Sequence, residues 1–281
     1  MKALDLGAFD FITKPENGSA EENRENIRKA LVPLVKVFAH QREIRTILRS
    51  KGVAPRGATV KPEDPKEATP GSAASVVQRI SAMAVRAASE VLAIGISTGG
   101  PNALGQMLPN LPANIGVPIL IVQHMPPVFT QSLASSLDAR CGFTVKEAEN
   151  GEPVRPNCAY IAPGGRQMKV TLGGDASTKI IRVTDDPPEN NCKPSVDYLF
   201  RSVAHHYLGR ATGVIMTGMG NDGTLGSKLM KRNGCVIIAQ DEATCVVFGM
   251  PKEVIAAGVV DVVAPLDRIA GEIVRTIKRT S

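Results

Sequence analysis

The sequence predicts an α/β fold in which a mostly parallel sheet is sandwiched between helices and an antiparallel hairpin is added. From residue 91 onward, short apolar runs alternate with stretches whose apolar residues recur at helical spacing. These runs are apolar throughout, which is typical of strands that are covered by helices on both faces. Strands that alternate with helices along a chain favour parallel pairing.

The individual elements follow from this alternation. The strand-like runs are VLAIGI at 91–96, VPILIVQ at 117–123, TGVIMTG at 212–218, CVIIAQ at 235–240 and GVVDVVA at 258–264. Helical patterns are predicted at 101–110, 128–139, 194–208, 223–232 and 267–278. Residues 168–186 break the rhythm, because two runs joined by Gly173, Gly174 and Asp175 predict an antiparallel hairpin.

Composition divides the chain into three regions. Residues 1–48 contain a strand-like segment, FDFIT, and then a helix that Ser19 and Glu22 are expected to open as a capping box, with a kink at Pro33. Residues 50–75 are rich in proline, glycine, alanine and charge, which predicts a flexible linker. We therefore expect a small N-terminal segment at 1–48, a linker at 49–90 and the main domain at 91–281.

Charge and hydropathy exclude several classes of protein. Residues 1–90 hold 15 Lys or Arg and 11 Asp or Glu, so most of the net charge of +6 lies in the first third of the chain. With few aromatic residues and no basic run, nucleic acid is not an expected partner. The longest apolar runs are far shorter than a membrane helix, and the N-terminus lacks the pattern of a signal peptide, which predicts a cytoplasmic protein without membrane insertion.

The five cysteines predict neither a metal centre nor a disulfide framework. Their number is odd and they form no C-x-x-C pair, so we expect reduced and mostly buried thiols.

The segment G-I-S-T-G places Ser97 on a tight turn between a strand and a helix. Glycines on both sides of a serine remove side-chain bulk, which opens the hydroxyl to a substrate as in a nucleophile elbow. The same residues are also compatible with a glycine turn that holds a phosphate at a helix N-terminus.

Two further reactive side chains follow predicted parallel strands. His124 follows VPILIVQ, and Asp222 lies in the glycine-rich turn after VIMTG. Ligands of open α/β sheets bind at the carboxyl ends of the strands, where Ser97, His124 and Asp222 would supply a nucleophile, a general base and a carboxylate that orients the base. Each has a structural alternative: His124 as a partly buried side chain, and Asp222 as a hydrogen-bond acceptor for turn amides or as a helix cap. Two other histidines, His205 and His206, are interpreted as packing or surface residues of the helix at 194–208.

In these residues the sequence resembles the catalytic domain of the chemotaxis protein-glutamate methylesterases. The matching segments are IGISTGGP, VQHMP, AYIAPGG, KPSVDYLF, VIMTGMGNDG and AQDEATCVVFGMP. The resemblance implies a hydrolase that removes methyl esters from glutamates of chemoreceptors, without a metal or cofactor, and that is associated with deamidation of receptor glutamines. By similarity, Ser97 is the nucleophile, His124 the base and Asp222 its orienting partner. Met219 would form the oxyanion site through its backbone, and Thr98 would lie beside the nucleophile.

The N-terminal region carries a second resemblance. The segment ALDLGAFDFITKP is similar to the last strand of a phosphoacceptor receiver domain, with Lys14 at the position of the lysine that contacts the phosphoryl group. The earlier receiver strands and the phosphoacceptor aspartate have no counterpart in residues 1–48. The implied partners are the cytoplasmic domain of methyl-accepting chemotaxis receptors and, through a full receiver where one is present, a chemotaxis histidine kinase.

Two other function classes remain open at this point. One is a nucleotide-binding module built on STGGP, although the sequence lacks the G-x-G-x-x-G spacing and a P-loop lysine. The other is a non-catalytic adaptor that binds the receptor.

Overall fold

The computed structural model describes residues 19–25, 27, 28, 31, 32, 35 and 87–277. Among the described residues near the N-terminus, a helix begins at residue 20. The predicted capping box is confirmed, because the Glu22 N–H donates to Ser19 Oγ at 3.2 Å and the Ser19 N–H donates to Glu22 Oε2 at 2.8 Å. The predicted strand at 9–13, the kink at Pro33 and the linker at 50–75 lie outside the described residues. Residues 87–277 are treated below by themselves.

This domain contains nine strands, seven of which form one parallel sheet. They are β1 (Val91–Ile96), β2 (Ile119–Gln123), β3 (Thr144–Glu147), β4 (Cys158–Ile161), β5 (Gln167–Leu172), β6 (Lys179–Thr184), β7 (Ala211–Ile215), β8 (Val236–Gln240) and β9 (Val262–Ala264). The order in the main sheet is β3-β4-β2-β1-β7-β8-β9, and every neighbouring pair is parallel. The central strands β1, β2, β7 and β8 are buried along their whole length, as their uninterrupted apolar runs predict.

Helices cover both faces of this sheet. They are α1 (Gly100–Met107), which continues as a 3-10 turn, α2 (Phe129–Asp138), α3 (Val196–Tyr207), α4 (Thr224–Arg232), α5 (Met250–Ala256) and α6 (Leu266–Ile277). Alternate residues of β1 enter two separate cores. Leu92 and Ile94 pack in the core that contains the buried residues of α1, α2 and α6, whereas Val91 and Ala93 pack with α3 and α5. The three-layer architecture that the sequence predicts is therefore confirmed.

The predicted hairpin is also confirmed, with one difference in its position. Strands β5 and β6 pair in antiparallel register, but they form a separate two-stranded sheet and do not extend the main sheet. Met168 and Val170 of β5 and Ile181 of β6 point into the core beneath α3, and the Val170 N–H donates to Ser202 of that helix at 3.0 Å. The hairpin thus packs against α3 as part of the core on that side of the main sheet.

Two short strands on the β3 side of the sheet and one helix were not predicted. Strand β3 has four residues, of which only Val145 is buried, and β4 has four residues that are all buried. Helix α5 has seven residues and begins with Met250 and Pro251. Elements of this length contain too few residues for a period of 2 or 3.6 to stand out. Among the described residues, no helix has the length and hydrophobicity to cross a membrane.

Candidate active site

Ser97 and His124 occupy neighbouring positions at the carboxyl edge of the sheet. Ser97 follows the last residue of β1, His124 follows the last residue of β2, and these two strands pair in parallel with Ile96 opposite Gln123. The backbone N–H of His124 donates to the Ile96 carbonyl at 3.2 Å and so extends the hydrogen bonds between the two strands by one residue. The strand-end argument therefore predicted this placement correctly.

The turn that carries Ser97 is fixed by its backbone. The Ser97 N–H donates to the Thr217 carbonyl at 3.0 Å, and the Ser97 carbonyl accepts from the Gly100 N–H at 2.8 Å and from Gln123 Nε2 at 3.0 Å. Gly99 has a φ of 76°, a conformation that suits glycine and that starts helix α1 immediately after the serine. The Ser97 backbone is consequently held in place while its side chain stays half-buried.

The loop after β7 approaches this turn closely. A Cβ on Gly218 would lie 2.7 Å from Ser97 Cβ and 2.5 Å from the sulfur of Met250. Any larger residue at position 218 would push the serine turn away, so glycine is required here for packing.

Asp222 lies in the same loop, and its carboxylate is buried and fully occupied by donors. It is 2% exposed and accepts six hydrogen bonds. Oδ2 accepts from His124 Nε2 at 2.8 Å and from the Val196 N–H at 2.7 Å, and Oδ1 accepts from Ser195 Oγ, the Asp197 and Gly223 amides and Asn190 Nδ2. Asp222 therefore accepts turn amides, as its structural alternative predicts, and it also contacts the histidine. Its role as the carboxylate that orients a base remains a prediction.

The start of helix α3 provides three of the six donors to Asp222. Ser195 is its N-cap, and the first two helical amides, of Val196 and Asp197, point at the carboxylate. Free amides and the positive end of the helix dipole both favour a negative charge at this place. The carboxylate thus remains ionised although it is removed from water.

His124 bridges Asp222 and a cysteine. Its side chain is 16% exposed, Nε2 faces Asp222, and Nδ1 lies 3.8 Å from Cys192 Sγ. Within residues 87–277, Ser97 Oγ has no hydrogen-bond partner, so the structure joins His124 to Asp222 and places Ser97 beside them without a bond to the ring. Since the Nε2 proton is held by the carboxylate, Nδ1 is the nitrogen that a neutral ring leaves unprotonated.

The electrostatics of this pair favour its charged form. Burial lowers the pKa of His124, but the hydrogen bond with Asp222 and the neighbouring Cys192 outweigh this effect and raise the pKa to about 9. For Asp222, burial raises the pKa, whereas the hydrogen bond from His124 and the backbone donors of Asp197 and Val196 bring it below the ordinary value. The net direction is that of an ion pair between a carboxylate and an imidazolium.

Met219 and Thr98 lie in the two loops that meet at Ser97. Met219 is 46% exposed, and within the described domain its backbone N–H donates no hydrogen bond to protein. The Thr98 carbonyl accepts from Thr217 Oγ1 at 3.0 Å, which ties the serine turn to the end of β7. Their predicted roles beside the nucleophile remain predictions.

His205 and His206 lie in α3, exposed or partly exposed as expected.

Sequence reasoning missed three residues that surround the histidine and the aspartate. Ser195 carried a signal, since a serine directly before an apolar-periodic stretch is a common N-cap. Asn190 and Cys192 carried none, because the turn that holds them is defined only by the fold.

All five cysteines are free, three of them buried, as expected. In the described residues, the possible ligand atoms of His124, Cys192 and Asp222 lie within 4.8 Å of one another.

Comparison with known proteins assigns the domain. Residues 92–273 match the family model described as CheB methylesterase. The chain is 50% identical to the protein-glutamate methylesterase/protein-glutamine glutaminase of Desulfotalea psychrophila over 99% of this chain and 74% of that protein, and 41% identical to the protein of the same name in Trichodesmium erythraeum, over 99% and 73%. The crystal structure of the Thermotoga maritima CheB methylesterase catalytic domain is similar, with a TM-score of 0.64 and 43% identity over 67% of this chain and 98% of that one. The chain belongs to the CheB methylesterase family.

Proposed function

We propose that this protein is a serine hydrolase that removes methyl groups from glutamate γ-methyl esters of chemoreceptors and releases methanol. One observation carries the proposal: a buried carboxylate, Asp222, is bonded to His124 Nε2 at 2.8 Å, and the ring stands next to Ser97 at the ends of paired strands. A buried carboxylate that fixes the tautomer of an imidazole is the support that a serine nucleophile needs. The names of the relatives supply the substrate class.

In the reaction we propose, His124 Nδ1 is the atom that moves the proton. The Ser97 hydroxyl turns toward Nδ1, gives up its proton and attacks the ester carbonyl, while ionised Asp222 stabilises the imidazolium. The ring then returns the proton to the departing methoxide, so methanol leaves and Ser97 carries the glutamyl ester. Water deprotonated by the same nitrogen hydrolyses this ester and releases glutamate. No metal or cofactor takes part in these steps.

The oxyanion of the tetrahedral intermediate needs donors on the side of the carbonyl away from the imidazole. The Met219 backbone N–H is our candidate, because it donates to no acceptor within residues 87–277 and lies in the loop that packs on the serine turn. Such a donor contributes roughly 3 to 4 kcal/mol to the reduction of the barrier. Thr98, next to the nucleophile, is proposed to border the same site. An amide passes through a similar oxyanion, so deamidation of receptor glutamine with release of ammonia is the second reaction we propose for the triad.

The domain organisation is part of the proposal. We assign residues 1–48 to the C-terminal part of a receiver domain, 49–90 to a linker and 91–281 to the catalytic domain. The segment ALDLGAFDFITKP supports the first assignment, and it lies within the 99% of the chain that aligns with the relatives. The proposed partners are the cytoplasmic domain of methyl-accepting receptors and, for a protein with a complete receiver, a chemotaxis histidine kinase.

A fluorophosphonate probe tests the proposed function directly. We expect the probe to modify Ser97 covalently, with the adduct located by mass spectrometry, and the untreated chain to release methanol from methylated receptor. Treated protein should lose this activity in proportion to the labelled fraction. An adduct confined to other residues, or full methanol release from fully labelled protein, would contradict the assignment of Ser97 as nucleophile.

The pH dependence of the rate tests the role of His124. Only the neutral ring accepts a proton, so kcat/KM should fall as the pH drops through the pKa of His124. Because that pKa is raised to about 9, the acid limb should lie clearly above the ordinary histidine value near 6.5. The measurement is methanol release between pH 5 and 10 with a chelator in every buffer. A rate that is constant below pH 6.5 would show that this ring is not the base.

A further inference from the structure

The free edge of the catalytic ring faces a thiol. Cys192 Sγ lies 3.8 Å from His124 Nδ1, on the side of the imidazole opposite Asp222. Cys192 is only partly buried and the His124 side chain is 16% exposed, so neither side chain is fully removed from solvent. The proposed mechanism makes no use of this sulfur.

The loop that carries Cys192 is built to hold it there. The backbones of Glu189 and Cys192 exchange two hydrogen bonds, at 2.8 and 3.1 Å, across a turn in which Asn190 and Asn191 both have positive φ, 50° and 59°. Asparagine tolerates this conformation better than most residues. Asn190 Nδ2 also bonds Asp197 at 2.8 Å, which attaches the turn to helix α3. The sulfur is therefore positioned before any ligand arrives.

We propose that His124 Nδ1 and Cys192 Sγ form a binding site for a thiophilic divalent cation such as Zn²⁺, and that the bound ion inhibits the enzyme. Zinc binds histidine nitrogen at about 2.0–2.1 Å and thiolate sulfur at about 2.3 Å. With these bond lengths, atoms 3.8 Å apart subtend an angle of about 120° at the ion, close to tetrahedral. The thiol loses its proton to solvent on binding, and water fills the two remaining positions.

Asp222 supports this site without being a ligand. Both of its oxygens already accept hydrogen bonds from Val196, Asp197 and other donors. It holds the Nε2 proton, which leaves the Nδ1 lone pair directed away from the carboxylate toward the sulfur. A histidine that ligates a metal commonly donates its other ring N–H to a carboxylate in this way, which fixes the tautomer and raises the basicity of the ligand.

The inhibition rests on the proposed function of His124 as a general base. An ion on Nδ1 occupies the lone pair that would accept the Ser97 proton, while Nε2 remains bound to Asp222. Neither ring nitrogen can then take a proton, so metal-bound enzyme should release no methanol. The binding of the ion depends only on the geometry of the two side chains.

A zinc titration of the full 281-residue chain, freed of metal by a chelator and then desalted, tests the inhibition. We expect Zn²⁺ to inhibit methanol release reversibly, with activity recovered on adding chelator. In Cys192→Ser the zinc concentration for half-inhibition, relative to the metal-free rate of that variant, should rise at least roughly tenfold, since a direct ligand is lost. Cys141→Ser changes the other thiol that is not buried and should leave the zinc sensitivity as it is in the wild type. Equal sensitivity in all three proteins would overturn the proposal.

Direct binding separates the site from the catalytic role. Calorimetry with Zn²⁺ and the thiolate absorption of a Co²⁺ complex should show binding to the wild type and to Cys141→Ser, and strongly weakened binding to Cys192→Ser and His124→Gln, with circular dichroism confirming that each variant is folded. Absence of binding to the wild type, or binding unchanged in Cys192→Ser, would overturn the site. Binding with this pattern in a wild-type protein that releases no methanol would support the site and overturn the proposed function.

Discussion

Ser97→Ala should abolish methanol release from methylated receptor while leaving the domain folded. Removal of the serine from a catalytic triad lowers kcat roughly 10⁴- to 10⁶-fold, because the three side chains act together. The side-chain oxygen makes no hydrogen bond to protein in the described domain, and the turn is held by backbone bonds to Thr217 and Gly100. We therefore expect the free energy of unfolding to change by no more than about 0.5 kcal/mol.

The measurement is single-turnover and steady-state methanol release, with thermal unfolding as the test of folding. Ser135→Ala is a matched control, because it deletes the same hydroxyl from an exposed position of helix α2. That variant should keep the wild-type rate. Substantial turnover by Ser97→Ala would exclude this serine as the nucleophile and would direct attention to Cys192, the side chain that contacts His124 Nδ1.

The placement of the proposed catalytic side chains was predictable because it depends on topology. Uninterrupted apolar runs such as residues 91–96 indicate strands buried on both faces, and parallel strands bring their carboxyl ends to one edge. Ser97 and His124 are adjacent in space since β1 and β2 are neighbours in the sheet. Helix α3 was predicted almost at its observed bounds because its twelve residues carry a clear helical period.

The chemistry around the histidine was not predictable in the same way. The donors to Asp222 come from positions 25 to 98 residues away along the chain, apart from Gly223, and no sequence period connects them. Which ring nitrogen faces the carboxylate depends on the orientation of the imidazole in the folded site. The contact of Cys192 depends on a four-residue turn fixed by long-range hydrogen bonds. Features that arise only from tertiary packing leave no local pattern in the sequence.

Asp222→Asn should impair both activity and stability. In the variant an NH₂ group replaces one carboxylate oxygen and faces backbone N–H groups such as those of Val196 and Asp197. Two donors cannot bond each other, so at least one buried N–H group loses its hydrogen-bond acceptor. The variant also removes the charge that stabilises the imidazolium and the acceptor that fixes the tautomer. By analogy with other triads, kcat should fall about 10⁴-fold.

The expected loss of stability is about 3 kcal/mol, since a buried and fully bonded carboxylate is replaced by a group with the wrong donors. The repulsion between Asp222 and the buried carboxylate of Asp197 is relieved in the variant, which keeps the loss from being larger. Chemical denaturation at neutral pH measures the difference. Asp241→Asn is the matched control, because Asp241 follows β8 at the same edge of the sheet, and among the residues that the structure describes its carboxylate accepts hydrogen bonds from Thr244 alone.

Acid should reduce the difference between the wild type and Asp222→Asn. The pKa of Asp222 is lowered in the folded state, so its ionised form stabilises the fold above the unfolded value near 3.8, and this contribution is lost as the pH falls through the lowered pKa. The two unfolding free energies should therefore be well separated at pH 7 and converge below pH 3.8. Equal unfolding free energies of the variant and the wild type at pH 7 would contradict this prediction. The six hydrogen bonds to the carboxylate would then make no net contribution to the stability of the fold.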